Sequence, residues 1–204
     1  MASAIIHICV AKKVNEVLHL NEKKLFLGAI APDISKQVGE SKNKSHFLLE
    51  DTRTDIPNLD AFYNKYKNDI NLEHPFEIGY YCHLYADMIW FKYFMPMLEE
   101  LDYDNTNNMK WWEIIYKDYT DLNIKLIDKY NLDLSLFYEE YKPIKSNIDE
   151  IPIDKLKIII DKMGIIIENS KNDNLIVMDK KEVYNFINAC ADKFIELLKD
   201  KKLI

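Results

Sequence analysis

Apolar residues recur at three- and four-residue intervals along almost the whole chain, with polar residues between them, and strand-like alternation is scarce. That pattern predicts helices throughout. A first helix runs from about Ser3 to His19 with Ser3 as its N-cap, and a shorter one follows Asn21 and stops before Pro32. A polar loop then extends from Asp33 to about Pro57. Asn58 caps a helix over Leu59 to about Lys67, and Pro75 suits the first turn of a long helix that Pro96 helps to end. After an Asp/Asn-rich turn around Asp102 to Asn108, the segment Trp111 to Tyr130 reads as another long helix, with a short one near Leu134 to Tyr141. Two more, about Ile153 to Glu168 and Lys180 to Lys199, complete the series. The second opens on Asp179 with Glu182 three residues on, close to a capping box, and the two are expected to form a hairpin against the main bundle.

Composition supports one helical class and few alternatives. The 204 residues, 48% of them hydrophobic, suffice for a single core, so one helical domain is expected over 1–204, with residues 1–130 as the bundle that carries the site and 131–204 packed on it. Four glycines and six prolines are too few turn formers for an all-β chain, leaving an all-α, multi-helix bundle. The formal charge of −7 and the lack of a Lys/Arg cluster argue against binding duplex nucleic acid through its backbone. Cys9, Cys82 and Cys190 are odd in number and far apart, as reduced thiols of a cytoplasmic protein would be. No signal peptide is expected, because Lys12 and Lys13 arrive before any long apolar run and no basic segment precedes them. The most apolar window, 76–98, contains Glu77, His83, Asp87 and Lys92, so membrane insertion is not expected either.

The chemistry is carried by histidines and aspartates in apolar surroundings. In Gly79-Tyr-Tyr-Cys-His83-Leu-Tyr-Ala-Asp87, four-residue spacing sets an imidazole beside a carboxylate on one helical face, where burial demands compensation. His7 shares its helical face with Ala4, Val10, Ala11 and Val14 and should point inward; alone it reads as a core histidine bonded to a carbonyl. Asp33 follows Pro32 in a turn after the second helix, and His46 sits in the polar run Lys44-Ser45-His46-Phe47. Together, Asp33, His46, His83 and Asp87 can make one four-ligand shell of the type that binds Zn²⁺, leaving His7 free to join a second ion with Asp87 as the bridge. Two ions about 3.5–4 Å apart would activate a water and hold a phosphate oxygen. The cysteines do not fit, since Cys82 lies about 100° around the helix from His83 and Cys9 about 200° from His7. His19 and His74 read as helix-terminus residues.

These residues resemble the zinc-dependent phospholipase C family, related to the helical single-strand-specific nucleases. The resemblance rests on Ser3 to His7, on Leu27-Gly28 with Pro32-Asp33, on Ser45-His46-Phe47, and on Gly79, His83 and Asp87, in that order over residues 3 to 87. It implies Zn²⁺ at Asp33, His46, His83 and Asp87, a further ion near His7 and Asp87, and Asp33 as general base in phosphodiester hydrolysis. The secreted trinuclear members use additional His and Glu ligands and a processed N-terminal amine, whereas no histidine follows His83 here, so one or two ions are expected rather than three. Mn²⁺ or Fe²⁺ also suits an N/O site. Asp118 and Asp121 are the nearest carboxylates that could replace missing ligands, set against the ordinary reading of a solvated or capping face. Of Tyr80, Tyr81, Tyr85, Trp90, Phe91, Tyr93, Trp111 and Trp112, most are expected in the core rather than lining a pocket.

The expected activity is a metal-dependent, phospholipase C-like phosphoesterase acting with a metal-activated water on a small phosphorylated substrate or a lipid headgroup. An HD-type phosphohydrolase ranks below it because no histidine is followed by aspartate. A non-catalytic helical protein with a structural metal or a His/Asp cluster, acting by partner binding, is the alternative from another class. The sequence sets no oligomeric state.

Overall fold

The computed structural model describes residues 2–48, 55–102 and 108–204, and within them the regular elements are helices, with one isolated bridge between Leu48 and Pro57. Helix α1 (Ala4–Leu18) starts where the Ser3 hydroxyl accepts from the Ile6 N–H and stops at His19, whose left-handed backbone breaks the helix. Asn21 caps α2 (Glu22–Ile30), which tightens into a 3-10 turn over Ala31–Asp33. The segment after Asp33, expected as a polar loop, instead holds two one-turn helices, α3 (Ile34–Gln37) and α4 (Lys42–Ser45). Buried Ile34 and Ser35 anchor the first and Ser41 caps the second, and four residues are too few to display a helical period. The rest of that expected loop lies partly outside the described residues, as does most of the turn expected at 102–108.

Asn58 caps α5 (Leu59–Tyr66), and Pro75 sits in the first turn of α6 (Pro75–Ile89). Pro96 does not end this helical run. The chain passes through a wide π turn, Trp90–Phe94, in which the Met95 N–H reaches the Trp90 carbonyl, and continues as α7 (Met95–Glu99). Pro96 then falls in the first turn of α7, where its missing N–H costs nothing. Next come α8 (Trp111–Tyr130), α9 (Ser135–Tyr138), a non-helical stretch over 139–152, a 3-10 turn at Ile153–Lys155, α10 (Leu156–Glu168) and α11 (Lys180–Asp200).

The first half of helix α1, Ile5–Ala11, is buried all round, as an apolar stretch without a polar face must be, and the helix packs against α2, α6, α8 and α11. The closest pairing is α2 on α6. A Cβ on Gly28 would lie 2.0 Å from the Phe76 carbonyl oxygen, and one on Gly79 would lie 2.1 Å from that of Leu25, so only glycine lets these two backbones touch. The C-terminal helices do not principally pack on each other as the expected hairpin: α10 lies against α3, α8 and α9, while α11 lies against α1 and α6. The connector between them explains the separation. Asp118, buried on α8, accepts from the backbone N–H groups of Ile176, Val177 and Met178 at 2.7, 2.9 and 2.8 Å and ties that connector to the bundle. Tyr80, Tyr81 and Trp90 are core residues as expected, but Tyr93 and Trp112 are exposed. Among the described residues no helix is long and apolar enough to cross a membrane.

Candidate metal centre

Four separate segments deliver five side chains to one buried point. His7 comes from α1, Asp33 from the 3-10 turn after α2, His46 from the end of α4, and His83 and Asp87 from one face of α6. All five are less than a tenth exposed, and Asp33, at 8%, is the most accessible. The His7 and His83 rings stack with centroids 3.8 Å apart. Asp87 faces both sides of the cluster. Its Oδ1 lies 3.2 Å from His7 Nε2 and accepts from the Ala2 N–H at 3.1 Å, while Oδ2 lies 3.6 Å from His83 Nε2 and 3.7 Å from His46 Nε2. Asp33 Oδ1 is 3.4 Å from His46 Nε2.

The supporting contacts decide which nitrogens are free. His83 Nδ1 is 2.7 Å from the Ala29 carbonyl, which can only accept, so Nδ1 carries the proton and Nε2 presents a lone pair in the neutral ring. The close approach at Gly28 and Gly79 is what brings that carbonyl within reach. His46 Nδ1 lies 2.9 Å from Ser45 Oγ, whose own hydroxyl is within bonding distance of the Lys42 carbonyl and of Ser35 Oγ. With Ser45 giving its one proton to either of those acceptors, its oxygen accepts from His46 Nδ1–H, and His46 likewise turns an Nε2 lone pair inward. Phe47, next in sequence, has a left-handed backbone at φ 54°, a strained conformation for a residue with a Cβ. Its ring packs edge-on against Phe62, holding the turn that aims His46.

The result is an arrangement that lacks a positive charge at its centre. The Nε2 atoms of His46 and His83 oppose each other at 3.2 Å, two acceptors with no hydrogen between them when both rings are neutral. Asp33 Oδ1, Asp87 Oδ2 and both ring nitrogens of His7 have no hydrogen-bond partner, although buried donors and acceptors almost always find one. The donor set is the imidazole and carboxylate chemistry of zinc. Two overlapping groups, His7–His83–Asp87 and Asp33–His46–His83, have donor atoms all within 4.8 Å of one another and could each hold an ion. His83 belongs to both but has one free nitrogen, so it would serve one ion at a time.

Electrostatics follow from burial and mutual proximity. His7 is lowered from 6.5 to about 4 by burial and then by the neighbouring His83 charge, which outweigh the pull of Asp87. For His83 the balance is reversed: burial lowers it, but Asp87 and the Ala29 carbonyl win and hold it above its ordinary value. Burial raises Asp33 and Asp87, yet the imidazoles overcome it, bringing Asp33 down to about 2 and holding Asp87 well below the carboxylate range.

The carboxylates proposed as substitutes are elsewhere. Asp118 is occupied by the 176–178 backbone, and Asp121 is buried and paired with Lys117, so neither faces solvent and neither reaches the cluster. His19 caps the end of α1, and His74 Nδ1 bonds the Asp69 carbonyl at 3.0 Å. The three cysteines are buried and unpaired, outside both groups. A cavity of about 310 Å³ opens beside the cluster and has Asp33 in its wall. A larger one, about 600 Å³, lies by the start of α6 and shares no residue with the five.

Residues 4–149, well over half of the chain and including all five cluster residues, match the family described as zinc dependent phospholipase C. The chain belongs to the zinc-dependent phospholipase C family. No curated protein and no solved structure matches it. Membership supplies a fold, an all-α bundle of the phospholipase C type, and a general chemistry, metal-dependent hydrolysis with zinc as the ion that the family name implies. What spacing alone did not reveal is the support around the cluster in this family member: the Ala29 carbonyl, the Ser45–Ser35 pair and the backbone of Ala2. Gly28 and Gly79 were the available signal for the first of these.

Proposed function

We propose that this protein is a zinc-dependent phosphodiesterase, with Asp33, His46, His83 and Asp87 holding one ion and His7 with Asp87 holding a second. The observation that carries the reading is the facing pair of Nε2 lone pairs on His46 and His83, ringed by unpartnered oxygens of Asp33 and Asp87 and opening to a cavity through Asp33. Bound zinc would lower the pKa of a water and neutralise charge developing on phosphoryl oxygens. The protein's own part is preorganisation. The Ala29 carbonyl and Ser45 fix the ring tautomers, Asp87 divides its oxygens between the two sides, and the apolar packing around α1 and α6 keeps bulk water from the buried ligands.

This reading gives the reacting water to Asp33, and its support is that Asp33 alone among the five borders the cavity. Held at about 2, it is ionised at neutral pH and a poor resting base, so its contribution lies in keeping an acceptor where the water must shed its proton. Asp33→Asn keeps an accepting oxygen but removes the charge and the capacity to take up the proton, and should lower kcat by about a hundredfold or more. The substrate is a small phosphorylated molecule or a lipid headgroup. A cytoplasmic location is supported by the three unpaired, buried cysteines.

Metal analysis of the purified protein together with a panel of phosphodiesters and phosphomonoesters tests the reading. Near-stoichiometric zinc that His83→Ala abolishes, with turnover that depends on the metal, is the expected result. Zinc without turnover would favour a structural metal in a partner-binding protein. No retained metal after reloading would end both readings.

A further inference from the structure

The side chains of the cluster stand on very unequal supports. His7, His83 and Asp87 belong to helices of 15 residues, and Asp33 follows directly on α2, whereas His46 closes α4, a single turn of 4 residues with little stability of its own. Its ring nevertheless aims Nε2 at His83 Nε2 across 3.2 Å, where two facing lone pairs repel. An anchor outside α4 must hold it there. Lys44, on the same turn, bonds the Asp149 carbonyl at 2.8 Å, but through an exposed and rotatable side chain.

Tyr80 supplies a rigid anchor. It lies on α6, three residues before His83, and is fully buried. Its hydroxyl donates to the Ser45 carbonyl at 2.5 Å, and burial pushes the phenol well above its ordinary pKa, so the proton stays on that oxygen. Ser45 is also the residue whose side-chain oxygen faces His46 Nδ1. The Tyr80 ring acts on the other flank. It stacks on Phe62 with centroids 5.3 Å apart, and Phe62 meets Phe47 edge-on at 5.2 Å. The residues before and after His46 are thus both tied to one side chain of α6. We propose that Tyr80 is a positioning residue of the metal centre: its hydroxyl fixes the Ser45 carbonyl, and through Ser45 the direction of the His46 ring, so that α6 sets both of the facing nitrogens. Its part in metal binding rests on the zinc reading above; its hold on the ring does not.

Tyr80→Phe tests it, because it removes the hydrogen bond and keeps the stacked ring. In the zinc-free protein, nitrogen NMR should find His46 in a single tautomer in the wild type and averaged between two in the variant. His83, held by the Ala29 carbonyl, should keep its Nδ1–H form in both. Zinc affinity measured against a competing chelator should fall about tenfold. The cobalt-loaded variant should differ from wild type in its visible absorption, as the hold of His46 on the ion loosens. Asp118→Ala, which loses bonds to the 176–178 backbone rather than any contact in the cluster, should lower stability and alter none of these readings. An unchanged His46 tautomer, a change shared by His83 or reproduced by Asp118→Ala, or full zinc affinity in Tyr80→Phe would overturn the proposal. A wild-type protein that binds no zinc, yet whose His46 is released by Tyr80→Phe, would end the metal reading and keep the hold on the ring.

Discussion

At the scale of single residues, the stacked imidazoles of His7 and His83 cannot both be charged, and their surroundings decide which one takes a proton. His83 has Asp87 and the Ala29 carbonyl; His7 has burial and a charged neighbour. In the metal-free protein, ring resonances followed by NMR should show His7 titrating near 4 and His83 above 6.5. The signs for stability are opposite. The raised value of His83 stabilises the fold fully below its unfolded pKa, and that contribution is lost as pH rises through the folded value. The lowered value of His7 destabilises as pH falls from 6.5 towards 4, because the unfolded chain binds the proton first. Zinc must displace the proton of His83, so affinity measured against a competing chelator should fall about tenfold per pH unit below the raised pKa of that ring. An affinity flat across that window would exclude His83 as a ligand.

Among elements, the α2–α6 contact depends on two glycines, Gly28 and Gly79, and the α10–α11 connector on one aspartate, Asp118. A methyl group at Gly79 would sit 2.1 Å from the Leu25 carbonyl and 2.9 Å from the Ala29 N–H nitrogen, so the helices must part and the Ala29 carbonyl must leave His83. Gly79→Ala should cost about 3 kcal/mol in denaturant unfolding and also lower zinc affinity; stability loss with unchanged affinity would mean that the carbonyl does not orient the ring. Asp118→Ala strands three backbone donors at 176–178 and should cost about 3 kcal/mol, with faster proteolytic cleavage in the connector. Local signals made the caps at Ser3, Asn21, Asn58 and Asp179 legible, because a capping side chain and its N–H partner are near neighbours in sequence. They could not reveal the partner of Asp118, nearly sixty residues away, or the π turn that carries the chain past Pro96. The five cluster residues were readable because ionisable groups in apolar runs are conspicuous. Their orienting partners were not, since a backbone carbonyl such as that of Ala29 has no signature in a sequence.

For the molecule as a whole, ions held by α1, the α2 turn, α4 and α6 would cross-link segments as distant as His7 and Asp87. Metal bound only by the folded form stabilises it by mass action, about 2.7 kcal/mol at a free concentration a hundred times Kd. Scanning calorimetry with and without a strong chelator should therefore show a clear drop in Tm, abolished by His83→Ala; an unchanged Tm would mean that no ion was held. The placement of α11 has a separate consequence. Because Val183, Ile187, Cys190 and Phe194 are buried on a helix that packs against α1 and α6, the segment matched by the family is shorter than the segment that folds. A chain cut after residue 149 would keep every proposed ligand yet leave the outer sides of the two ligand-bearing helices bare, inviting self-association through the surface that α11 normally covers.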